Sequence, residues 1–127
     1  MSLPPESGAV AHVQVQFAID DPARADGMVD RLLADHLVAC GQRVGPVVSR
    51  YWWQGERVVS DEWLVLLKTR AELAPRVVEA VVAAHPYEAP EVVVVDLVSG
   101  APGYLAWIDE VTGAAGTIGR SGETEEP

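Results

Sequence analysis

Cysteine is almost missing from this chain. Cys40 stands alone among 127 residues, so no disulfide can form within it. That excludes the cross-linked framework of small secreted domains. Positive charge is scarce too: nine Lys and Arg face nineteen Asp and Glu, a net charge of −10. Nucleic-acid partners draw their affinity from clustered Lys and Arg, so this balance opposes them. No apolar run approaches the ~20 residues that span a bilayer, and no membrane partner is expected. The start, Met1-Ser2-Leu3-Pro4-Pro5-Glu6, has neither the basic nor the apolar region of a signal peptide. With the lone cysteine, this predicts a cytoplasmic protein. P-loop, G-x-S-x-G and G-x-G-x-x-G patterns are absent. His12, His36 and His85 lie far apart with no H-x-x-x-H or C-x-x-C spacing, so a closed zinc site is not expected.

What is there is the composition of one globular domain, with 49% hydrophobic and 22% charged residues. Residues 1–9 and the Gly-rich, acidic stretch 113–127 offer few large apolar side chains and are expected to be disordered. The folded unit is expected over 10–112.

Val13, Val15 and Phe17 alternate with Gln14 and Gln16, the period of a strand over Val10 to Ile19. Asp20-Asp21-Pro22 can cap a helix and open its first turn. Ala25, Met28, Val29, Leu32, Leu33 and His36 then recur at helical spacing. Leu37 to Cys40 begins a second strand that runs through Gly41, Gly45 and Pro46, where a bulge or bend is expected, to Trp53. Gln54-Gly55-Glu56 reads as a turn, and Arg57 to Thr69 as the returning arm of a long hairpin. Thr69 and Glu72 have capping-box spacing. Leu73, Val77, Ala80, Val81 and Ala84 make a second helical stripe. A stiff loop, His85-Pro86-Tyr87-Glu88-Ala89-Pro90, precedes a strand from Glu91 to Val98. Its valine run, apolar on both faces, predicts a central strand. Gly100-Ala101-Pro102 opens a last helix with Tyr104, Trp107, Ile108 and Val111 inward.

The order is βαββαβ with an extra C-terminal helix, an α+β chain of the ferredoxin-like type. Two helices cover one face of such a sheet. The other face is too apolar here to stay wet, and another copy of the chain is the simplest cover.

Five segments carry a family resemblance: Leu37-Val38-Ala39-Cys40, Tyr51-Trp52-Trp53-Gln54-Gly55, Leu66-Leu67-Lys68-Thr69, His85-Pro86-Tyr87-Glu88-Ala89-Pro90-Glu91 and Tyr104-Leu105-Ala106-Trp107-Ile108. In order and spacing the chain resembles the CutA divalent-cation tolerance family over residues 11–111. The resemblance implies a non-enzymatic homotrimer, similar to the trimeric PII signalling proteins, with long hairpins pairing between subunits. It implies a role in the response to metal ions, with copper or another divalent cation held between subunits. Where some copper-binding members of the family place a cysteine and a first histidine, this chain has Phe17 and Ala84, and keeps His85.

Each candidate residue has two readings. His85 is either a metal ligand or a cap on the preceding helix. Tyr87 and Glu88 either wall a ligand cleft with Lys68 and Arg70, where a small anion is the alternative ligand, or serve packing and solvation. Tyr51, Trp52, Trp53, Trp63 and Trp107 are expected at subunit contacts, with stacking on a planar ligand as the other reading. Cys40 reads as a small buried hydrophobe. An enzyme using His85 as base and Tyr87 as acid is the third and least supported function.

Overall fold

A computed structural model describes residues 10–113. The two segments expected to be disordered lie outside the described residues, apart from Gly113, which caps the last helix. The elements are β1 (His12–Ile19), α1 (Pro22–Ala34), β2 (Cys40–Trp53), β3 (Glu56–Arg70), a short 3-10 turn (Ala71–Leu73), α2 (Ala74–Ala84), β4 (Val92–Leu97) and α3 (Pro102–Thr112). The strands form one antiparallel sheet in the order β2-β3-β1-β4, the ferredoxin-like arrangement with its added helix.

Alternation along β1 decides where the core lies. Val13, Val15, Phe17 and Ile19 are at most 3% exposed and face α1 and α2. They meet Val65 and Leu67 from β3 and Val77 and Val81 from α2. Each such side chain contributes roughly 1.5–3 kcal/mol on burial, so this face carries most of the stability. Asp21 starts α1 by accepting the amide of Arg24 at 3.1 Å, and Pro22 opens the first turn. Gly41 lets α1 cross β2 closely: a Cβ there would lie 2.6 Å from Val29 Cγ1.

The opposite face is only partly covered. Here α3 lies across one end, held by side-chain bonds from β1, β3 and the segment after α1. His12 Nε2 is 2.9 Å from Asp109, Arg70 Nε donates to Thr112 Oγ1 at 2.9 Å, and His36 Nδ1 is 3.1 Å from the Val111 carbonyl.

Several local expectations need correction. The valine run lies on an edge strand, not a central one: Val93, Val94 and Val95 are 43–44% exposed in the single chain. Apolarity on both faces gives a strand's character but not its place in the strand order. The capping box does not form, because Thr69 Oγ1 donates to the Leu37 carbonyl at 2.7 Å and ties β3 to the segment before β2. His36 continues the helical spacing but lies beyond the cap, Asp35, with φ 57°. The buried side of α3 is Ile108 and Thr112, while Tyr104 is 40% exposed.

The hairpin is the dominant irregular feature. Gln54 and Gly55 take φ 51° and 81°, the two positive values of a tight two-residue turn. The register shifts between Val44 and Val47, at a cis Gly45–Pro46 bond. β1 pairs with β3 only from Trp63 onward, so residues 56–62 and their partners 47–53 project beyond the body of the sheet.

Candidate functional site

The stiff loop after α2 packs where this projecting hairpin leaves the sheet. His85 ends α2, donating its amide to the Val81 carbonyl at 2.9 Å. Its ring is buried. Nε2 lies 2.7 Å from the Ala18 carbonyl, and Nδ1 accepts the Tyr87 amide at 3.1 Å. A carbonyl needs a donor and an amide needs an acceptor, so the ring is neutral with its proton on Nε2. It meets Phe17 and Tyr87 edge-on, with centroids 5.9 and 4.5 Å apart. Both nitrogens are engaged within the chain. The ring's acceptor, Ala18, belongs to β1 and not to α2, so the side chain ties the loop to the sheet while only the His85 backbone closes the helix, and coordinating a metal would break one of these bonds.

Tyr87 extends the network. Its hydroxyl donates to Glu62 Oε2 at 2.9 Å, joining the loop to β3. Burial first, then the bond to Glu62, push the phenol above its ordinary value near 10, so it stays a donor throughout the physiological range. Glu62 is 5% exposed. Sequence reasoning missed this residue. Its one cue is an acid set just ahead of the apolar run Trp63-Leu64-Val65-Leu66-Leu67.

Between loop and hairpin opens a cleft of about 740 Å³. Tyr87 and Glu88 line it from the loop, and Tyr51, Trp52 and Trp53 from the hairpin. Its charge is mostly negative: Asp20, Glu62, Glu88 and Glu91 face it against Arg50. The cleft thus joins two groups of candidate residues that the sequence had kept apart, the loop pair and the tip aromatics.

Lys68 and Arg70 are not part of it. They pair with Gln14 and His12, four to six residues along the sheet from Ala18, about 13–20 Å at the usual rise of a strand. Lys68 Nζ donates to Gln42 at 2.8 Å. Arg70 bonds Thr112 and forms a 2.9 Å ion pair with Glu72. Within one chain, then, the loop pair and these two cations do not share a cleft. Trp63 is half-buried, on the helix side of β3 and close to Gly45. Trp107 stacks obliquely on Tyr104 at 5.6 Å, and its buried indole N–H has no acceptor among the described residues. Cys40 is half-buried, 3.4 Å from the Tyr104 hydroxyl. Burial, then that contact, push the Tyr104 phenol up to about 12.

Among the described residues, no three His, Cys, Asp or Glu converge as a metal site, and no helix is long and apolar enough to cross a membrane.

Known proteins share this sequence and this fold. The family described as CutA1 divalent ion tolerance protein matches residues 13–111, nearly all of the described fold. The divalent-cation tolerance protein CutA of Thermus thermophilus is 42% identical over 82 residues, covering 65% of this chain and 80% of that protein. The Escherichia coli protein of the same name is 30% identical over 104 residues, covering 82% and 93%. Among solved structures, the periplasmic divalent cation tolerance protein CutA from Archaeoglobus fulgidus superposes with a TM-score of 0.77 at 30% identity, over 80% of this chain and 98% of that one. The sequence match spans the sheet, the loop and the last helix together, and two relatives agree with it over most of their own length. The chain therefore belongs to the CutA1 divalent ion tolerance protein family.

Proposed function

We propose that the protein works as a homotrimer in the response to divalent cations, binding a cation or small ligand where subunits meet. One observation carries this reading: among the described residues nothing covers the hairpin overhang. Trp52 is 71% exposed, Val48 63% and Val59 56%, an apolar arm that a second chain would bury. The exposed valines of β4 offer an edge and a face of matching character. Copper or another divalent cation remains the family-derived ligand. His85 serves it only after giving up Ala18 or Tyr87, so among the described residues of one chain no ready-made donor set stands open to the ion. A small anion has less support, because the cleft is acidic and Lys68 and Arg70 are committed elsewhere. The lone cysteine suits a reducing compartment, and we place the protein in the cytoplasm.

Sedimentation at micromolar concentration tests the assembly. A trimer is expected, and a well-folded monomer overturns it. Titration with Cu²⁺ and Zn²⁺ tests the metal. Binding no tighter than to an unrelated acidic protein removes the metal from this reading while leaving the assembly in place.

A further inference from the structure

We draw no further inference here: the strongest candidate, the apolar groove of about 340 Å³ between α1 and α2 lined by Met28, Leu32, Ala80 and Val81, has nothing in the structure to show what covers it.

Discussion

Tyr87 closes over Glu62: its hydroxyl donates a 2.9 Å bond to the carboxylate of a residue that is 5% exposed and belongs to a different element. Removing the donor strands the acceptor. Tyr87→Phe is expected to destabilise the fold by about 1–3 kcal/mol, the usual cost of a buried polar group left unpaired. Urea denaturation at fixed protein concentration measures it. An unchanged midpoint would mean that water replaces the phenol.

Alkaline pH should weaken the fold through two tyrosines. Tyr87 and Tyr104 both titrate higher in the folded chain than the ordinary value near 10, Tyr104 at about 12. Above pH 10 the unfolded chain loses these protons first and so binds fewer than the native one. Their contribution is therefore complete below pH 10 and declines as pH rises from there toward 12 and beyond. Melting temperatures from pH 8 to 12 should fall over the upper half of the range, and the slope should flatten in Tyr87→Phe with Tyr104→Phe.

Two glycines should respond to alanine in opposite directions. At Gly41 a Cβ meets Val29 Cγ1 at 2.6 Å and Leu67 Cδ2 at 3.0 Å, so Gly41→Ala should cost about 1–3 kcal/mol. At Gly27, inside α1, nothing lies within 4 Å, and Gly27→Ala should stabilise by about 0.5–1 kcal/mol. Thermal melts of the pair check both signs.

The cap on α1 is local and should behave so. Asp21→Ala removes the acceptor of the Arg24 amide and should cost about 1 kcal/mol. Circular dichroism melts should show it without a change in assembly state.

Charge placed on the hairpin tip should act on assembly instead. Trp52→Asp alters a residue 71% exposed in the single chain. The expected result is dissociation at higher protein concentration with the monomer's secondary structure retained. Sedimentation across a dilution series reads it.

Much of this fold is legible in the residues because its signals are local. The alternation Val13, Val15, Phe17, the Asp21-Pro22 helix start and the Gln54-Gly55 turn each act within a few residues, and each stands where expected. What failed depended on distant partners. Thr69 has the spacing of a cap, but the Leu37 carbonyl competes for its hydroxyl. Val92 to Val95 give a strand's character without its place in the strand order. The site divides the same way. Tyr87 and Glu88 stood out on a rigid loop, whereas Glu62 acquires meaning only once β3 brings it beneath Tyr87. Within one chain Lys68 and Arg70 lie opposite Gln14 and His12, away from the loop, a separation that only the β1–β3 register reveals.

The projecting arm also gives the chain two tiers of durability. Residues 47–53 and 56–62 hold each other as a two-stranded ribbon, and such ribbons are marginal in water by themselves. The body around Phe17 and Leu67 needs no such help. The single chain should thus present a nick-prone arm on a resistant base, and limited proteolysis should cut at the tip well before the body.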